Sequence, residues 1–176
     1  MADSYRLTVL KRLTALLETT VVTPVAGITL PATLAGVVYR GKARFGDDSP
    51  ETMLSILESP RPNGANYTDT NQVRNEDWSL LIQGWCPEDQ EHPSDPIYSL
   101  LDDVERVLDR ITRTSRDTGY PKYPTDYRLG AALDGEGSLI TDFRASPGVV
   151  RPPTENLSSK CFFYLPVSVG LARIAA

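Results

Sequence analysis

The acidic stretch PEDQEHPSD holds the residues of this chain that come closest to catalytic or metal-binding chemistry. Its Glu88 and Asp89 carboxylates, together with His92, could ligate a divalent cation or transfer a proton. Another carboxylate pair, Asp47 and Asp48, stands in the sequence GDDSP. These five residues define one hypothesis for the chain, a carboxylate-dependent metal enzyme.

Each of these residues also has a structural explanation that needs no chemistry. His92 is the only histidine, and it has no cysteine or second histidine at metal-ligand spacing. Aspartate is favoured in turns such as GDDSP, and an acidic residue at the start of a helix interacts well with the helix dipole. No glycine-rich phosphate loop follows a predicted strand, and no serine lies in a nucleophile elbow. We therefore predict no catalytic residue, no metal ligand and no bound cofactor.

Three basic residues, Arg40, Lys42 and Arg44, recur at every second position of the segment GVVYRGKARF. If this segment forms one strand, their side chains leave it on a single face, opposite an apolar face. Such a basic face is either solvated or binds something acidic, which would be a partner subunit or the phosphates of passing DNA. The residues alone leave these alternatives open.

Length and composition limit the class of protein. A chain of 176 residues suits one domain, which we place at residues 1–176 and which can bury a core without disulfides. The net charge of −5 argues against a broad nucleic-acid-binding surface. We find no export signal and no apolar run long enough to cross a membrane, and so expect a soluble protein. Cys86 and Cys161 lie in separate apolar segments, and we expect both to be reduced core residues.

Two helices are predicted to position these residues. In residues 4–19, leucines recur at spacings of three and four and form one apolar stripe. In residues 95–111, apolar side chains follow a 3.6-residue period, with Asp95 as the N-cap and Pro96 at the first helical position. The opposite face of this second helix is charged and includes Asp103.

The remaining segments are predicted to be strands and long polar loops. The predicted strands are residues 36–45, 52–59, 77–86, 137–146 and 160–174. The predicted loops are residues 60–76, 115–135 and 146–159, and loops of this kind favour contacts with other chains. The segment 77–86 is apolar on both faces, which is typical of a central strand. Because helices and strands do not alternate as β-α-β units, we predict an α+β fold with a mixed or antiparallel sheet of about 4–6 strands and two helices packed on it.

Several short motifs then occur in a characteristic order. An aromatic-Arg-Gly strand is followed by a Phe-Gly-Asp turn, a Met-x-Ser-Ile-x-Glu strand, a strand that begins with Trp and ends in an acidic loop, and a helix that opens with Asp-Pro-x-Tyr. In this chain they are Tyr39-Arg40-Gly41, Phe45-Gly46-Asp47, Met53–Glu58, Trp78–Trp85 and Asp95-Pro96-Ile97-Tyr98. In order and spacing they resemble the tail terminator proteins of long-tailed bacteriophages. The resemblance covers about residues 4–111, including the N-terminal helix, and leaves the strands and loops after residue 115 without a counterpart.

The resemblance implies an α+β subunit that assembles as a homo-hexameric ring. Six copies of 19.4 kDa would form a closed ring of about 116 kDa. Such a ring caps the tail tube protein, ends tube polymerisation and presents a surface to the head-completion or connector protein. DNA would pass through it without specific binding. The resemblance also implies a virion protein of the tail or neck, assembled in the host cytoplasm, with no catalytic residues and no membrane partner.

Within such a ring we expect the basic residues to face acidic groups of a neighbouring subunit, because free basic side chains in a DNA channel would slow ejection. The predicted contact residues are Arg40, Lys42, Arg44, Asp47, Asp48, Glu88 and Asp89. Another head–tail joining protein of the same particle is the alternative function. The metal enzyme remains the alternative from a different class.

Overall fold

The computed structural model of the chain describes residues 4–44, 48–58, 73–130, 139–152 and 160–174. Within these ranges, two α-helices lie on one face of a six-stranded mixed sheet, so the prediction of an α+β fold is confirmed. No helix there has the length and apolarity that a membrane crossing requires. The elements are α1 Tyr5–Glu18, β1 Val38–Arg40, β2 Met53–Glu58, β3 Val73–Pro87, α2 Asp95–Leu108, β4 Asp142–Ala145, β5 Val149–Arg151 and β6 Lys160–Ile174.

The sheet is built around its two longest strands. The strand order is β1-β2-β3-β6-β4, and β5 also pairs with β6. Only β1 and β2 run parallel among the described pairs; the others are antiparallel. β3 and β6 have 15 residues each and pair along their whole length, from Val73 opposite Ile174 to Pro87 opposite Lys160. The predicted central strand therefore lies at the centre, although it begins earlier than expected because Val73–Glu76, predicted as loop, also pair with β6.

The first helix forms as its leucine spacing predicts. Ser4 is the N-cap, and its hydroxyl oxygen accepts a hydrogen bond from the Leu7 N–H at 3.3 Å, which satisfies one of the free donors of the first turn. Leu13 and Leu17, one turn apart, are fully buried against the sheet. Burying each leucine side chain contributes about 2 kcal/mol to the free energy of folding.

The second helix is the most regular element of the fold. Its apolar side chains form an unbroken buried stripe that includes Ile97, Leu100 and Val104, each fully buried. The N-cap is Ser94 and not Asp95 as predicted, because Asp95 already has helical geometry and Pro96 follows in the first turn. The helix ends in a 3-10 turn that carries the pattern to Ile111.

Asp103 differs from its predicted position on the exposed face of α2. It is only 2% exposed, because the segment that follows α1 passes over this part of the helix. There its carboxylate accepts two hydrogen bonds from Thr23 and one from Arg106. Helical periodicity places Asp103 beside polar neighbours, but the contact that buries it comes from a residue 80 positions away.

The two edges of the sheet are short and irregular. At one edge β1 contains only three residues of the predicted strand 36–45, because Gly41 takes a φ of 76° that ends the extended conformation. At the other edge, β4 and β5 pair with successive parts of β6, and the chain bulges between them through Pro147. The predicted loop 146–159 thus contains the strand β5. Short, bulged edges with proline resist pairing with other sheets.

The two faces of the sheet differ in what covers them. One face packs against α1 and α2 and carries a continuous core, with Leu80 and Ile82 of β3 opposite Val167 and Leu165 of β6. On the other face lie the alternate residues of the same strands, which are not part of this core. We term the second surface the helix-free face.

Candidate functional site

The acidic loop between β3 and α2 is a local turn organised by Asp89. One Asp89 carboxylate oxygen accepts hydrogen bonds from the backbone N–H groups of Glu91 and His92, each at 2.8 Å. The bond from His92 first, and that from Glu91 second, lower the pKa of the Asp89 carboxyl. A carboxylate used in this way stabilises an Asx-type turn. The geometry therefore explains Asp89 without a bound ligand.

Among the described residues, the others of the hypothetical metal site do not form a ligand set with Asp89. Glu88 is half-buried, while His92 and Asp48 are exposed. Asp47 lies outside the described residues. In the part of the chain that the structure describes, no three His, Cys, Asp or Glu side chains are placed to hold a metal ion together.

A shallow cleft lies between the end of α2 and β4, with a volume of about 360 Å³. Its two carboxylates, Glu105 and Asp109, stand one turn apart on the helix. The lining contains no histidine, cysteine or lysine beside them. The residues that line it are Glu105, Leu108, Asp109, Thr112, Phe143, Ala145, Ser146 and Pro147.

The three predicted basic contact residues do not share one face. Arg40 is the last residue of β1 and lies on the side of α1, where its Nη1 donates a hydrogen bond to Thr14 Oγ1 at 3.3 Å. Lys42 lies on the opposite side of β1, with its Nζ 4.4 Å from the centre of the Tyr39 ring. Arg44 is exposed beyond the end of the strand. The prediction of a single basic strand face is therefore wrong, because the strand ends before its alternation can continue.

The helix-free face is apolar over its centre. Trp85 lies opposite Phe162 across the β3–β6 ladder, and the rings of Phe162 and Tyr164 meet edge to face with their centres 5.2 Å apart. These side chains are half-buried and do not belong to the core on the other face of the sheet. Leu57 and Leu81 extend the same surface and lie opposite each other on β2 and β3.

Two polar groups on the helix-free face lack hydrogen-bond partners. Ser55 and Gln83 are opposite each other on β2 and β3, and Ser55 is fully buried. Within the described residues, neither the Ser55 hydroxyl oxygen nor the Gln83 Oε1 has a hydrogen-bond partner. Buried polar groups are nearly always paired, and leaving one unpaired costs about 1–3 kcal/mol. Because the chain itself already buries these two oxygens, a partner surface cannot reach them, and the contact area that the helix-free face offers is apolar.

The sequence does show the apolar character of this face, because residues 77–86 are apolar on both sides. This pattern predicts a central strand, which is correct. It also reflects a sheet face that the helices do not cover. The pairing of Ser55 with Gln83 depends on strand register, which the sequence does not display.

The chain was also compared with known proteins. It matches no protein-family model, and no curated protein matches its sequence.

Proposed function

We propose that this chain is a structural subunit of a ring at the end of a bacteriophage tail, of the tail terminator type, and not an enzyme. In this role, six copies cap the tail tube, stop its growth and contact a head-completion protein. The observation that carries the proposal is the helix-free face, a half-buried apolar sheet surface. The resemblance of the sequence motifs to those of tail terminator proteins is the reason for proposing a hexameric ring.

The motifs behind this resemblance are neighbours in the fold. Met53–Glu58 is β2, and it pairs with the Trp78–Trp85 part of β3. The Tyr39-Arg40-Gly41 motif ends β1, which pairs with β2. The Asp-Pro-x-Tyr motif opens α2, which packs on β3. The Phe45-Gly46-Asp47 motif falls outside the described residues. A set of motifs that shares one packed unit supports a common structural role for them.

The helix-free face supports a contact with a second copy of this chain. In a closed ring each copy contacts its neighbours through two different surfaces, and each of these must be complementary to the other. The buried centre of such a contact is more apolar than the rest of the protein surface. The half-buried aromatic side chains of this face provide apolar area for the neighbour. Aromatic residues are typical of the centre of protein interfaces.

The oligomeric state of the purified chain tests the assembly. We expect light scattering after gel filtration to give about 116 kDa, the mass of six copies of 19.4 kDa, and electron microscopy to show closed rings. The chain must be tested both alone and with tail tubes, because ring closure can depend on the tube end. A chain that stays monomeric in both conditions contradicts the proposal.

The biological role is tested by a stop codon at Arg40 of the gene, in the phage that carries it. We expect negative-stain images of the lysate to show overlong tails of irregular length that are not joined to filled heads. Tails of normal length beside unjoined heads would instead assign the chain to the head side of the neck. Tight binding of Mg²⁺ or Mn²⁺, well below millimolar, would favour the metal enzyme.

A further inference from the structure

The two cysteines of the chain form a matched pair across the two longest strands of the sheet. Cys86 on β3 lies directly opposite Cys161 on β6, and both are fully buried. Their Sγ atoms are 3.4 Å apart, and both thiols are free. The pair joins positions 75 residues apart in the sequence, so its geometry depends on the β3–β6 register and not on a local motif.

The backbone at this position suits a disulfide. Opposed residues of an antiparallel pair have Cα atoms about 4.5–5.5 Å apart, and disulfides form between Cα atoms about 4.4–6.8 Å apart. The sulfur atoms must close from 3.4 Å to the bonded distance of about 2.05 Å. Rotation of the two side chains can supply this approach, because the strands already stand at the required separation.

We propose that Cys86 and Cys161 are an oxidation site that closes to a cross-strand disulfide on reaction with a small-molecule disulfide such as oxidised glutathione. This inference is independent of the proposed function. It assigns the two residues a covalent chemistry beyond their role as small apolar core residues.

The reaction is a thiol–disulfide exchange in two steps. In the first, the thiolate of one cysteine attacks one sulfur of the oxidant, forming a mixed disulfide and releasing one thiolate. In the second, the other cysteine loses its proton and attacks the protein sulfur of the mixed disulfide, which forms the internal disulfide and releases the second thiolate. The two protein thiols lose two electrons and two protons in all, and the oxidant is reduced to two thiols.

The contacts of the pair suit both steps. The hydrogen bond between the two thiols can run in either direction, and Cys161 Sγ also lies 3.4 Å from the Cys86 carbonyl oxygen and 3.6 Å from that of Pro87. Whichever thiol reacts first, the other is held 3.4 Å away, where it can resolve the mixed disulfide.

The cysteine pair lies near one end of the β3–β6 ladder, where local opening can let an oxidant reach it. Only one further rung, Pro87 opposite Lys160, follows the cysteine pair at this end of β3 and β6. Pro87 has no N–H and cannot donate a ladder hydrogen bond. Strand ends open locally at a lower free energy than the core unfolds. Both sulfur atoms lie on the face that α2 covers, beside Ile97, so the local opening that exposes them also moves the first turn of α2.

The experiment uses the full chain, prepared reduced, in two parallel routes. In one, the native protein is incubated with oxidised glutathione at pH 8; in the other, it is refolded from urea in the same buffer. Free thiols are then alkylated in urea, and the intact mass and the non-reduced peptides are measured. We expect the product to take up no label, to weigh about 2 Da less than the unlabelled reduced chain, and to contain a peptide linked through Cys86 and Cys161.

The Cys86→Ala variant is the matched control, since alanine is small and apolar like a buried thiol. Its remaining thiol is expected to stay free or to carry one glutathione, and never to give the internal product. The oxidised wild-type chain should unfold at a higher urea concentration than the reduced chain, and a reductant should reverse this shift. Two alkylatable thiols per folded chain in both routes, or stable double glutathione adducts, would overturn the proposal.

Discussion

The Asp103 carboxylate accepts two hydrogen bonds from Thr23, one from its backbone N–H at 2.6 Å and one from its hydroxyl at 2.9 Å. The Asp103 side chain is 1% exposed. Asp103 therefore links the segment after α1 to the middle of α2. Removal of a buried, paired carboxylate leaves its hydrogen-bond donors without a partner.

We expect Asp103→Ala to lower the free energy of unfolding by about 2 kcal/mol, because hydrogen bonds to a charged, buried acceptor are lost. The ion pair with Arg106 adds little, since the Arg106 side chain is 66% exposed. Urea denaturation measures the change. The control is Asp102→Ala, on the exposed side of the same turn, for which a change of less than about 0.5 kcal/mol is expected. Equal effects of the two substitutions would contradict the role of Asp103.

Gly84 is required by the ring that lies over it. An added Cβ at this position of β3 would overlap the Phe163 ring and come within 2.9 Å of Leu54 Cδ2. We therefore expect Gly84→Ala to destabilise the fold by about 1–3 kcal/mol through overpacking. Thermal or urea unfolding of Gly84→Ala, Phe163→Leu and the double variant tests this. The leucine substitution should cost less in the alanine background than in the wild type; additive effects would show that Phe163 is not the obstacle.

Stability at acid pH depends on the turn at Asp89. The backbone N–H groups of His92 and Glu91 stabilise the carboxylate and hold its folded-state pKa below the ordinary value of an aspartate. The resulting stabilisation is present above the unfolded-state pKa of about 4 and is lost as the pH falls through the folded-state pKa. We expect Asp89→Asn to melt at a lower temperature than the wild type at pH 7. The difference should shrink between pH 4 and lower values, and a difference that is constant from pH 7 to pH 3 would refute this linkage.

Leu80 and Leu81 are neighbours in β3 whose side chains lie on opposite faces of the sheet. Leu80 is 2% exposed in the core, whereas Leu81 is half-buried on the helix-free face. We expect Leu80→Lys to prevent folding, since it places a charge in the core. Leu81→Lys should retain a cooperative melting transition but fail to form rings in gel filtration and microscopy. If Leu81→Lys assembles normally, the subunit contact does not use this face.

How well the sequence predicted each element depended on the length of that element. The period of α2 and the apolar run of β6 are long, and their limits were predicted within a few residues. β1 and β5 have three residues each, too few for alternation to be distinguished from loop sequence. Because β1 ends at Gly41, Arg40 and Lys42 lie on different sides of it. A regular strand would place both residues on one face.

The contacts at the candidate sites were harder to predict from the sequence than the fold, because they join residues that are far apart in the chain. Asp103 is buried by Thr23, Ser55 lies beside Gln83, and Cys86 meets Cys161. Each contact requires knowledge of register or of a chain crossing, and single-residue patterns contain neither. The charged pattern of α2 even predicted Asp103 on the exposed face of the helix, whereas Asp103 is buried.

The place of β6 in the sheet has a consequence for the order of events during synthesis. This strand comes after every other described element, yet it forms the ladder that joins β3 to β4 and β5. A nascent chain that has emerged only as far as β5 would expose the open side of β3 and the apolar face of α2. Residues 160–174 must leave the ribosome before the core can close, and the high contact order of the sheet makes its folding slow. A chaperone that shields β3 until then would raise the yield of folded protein.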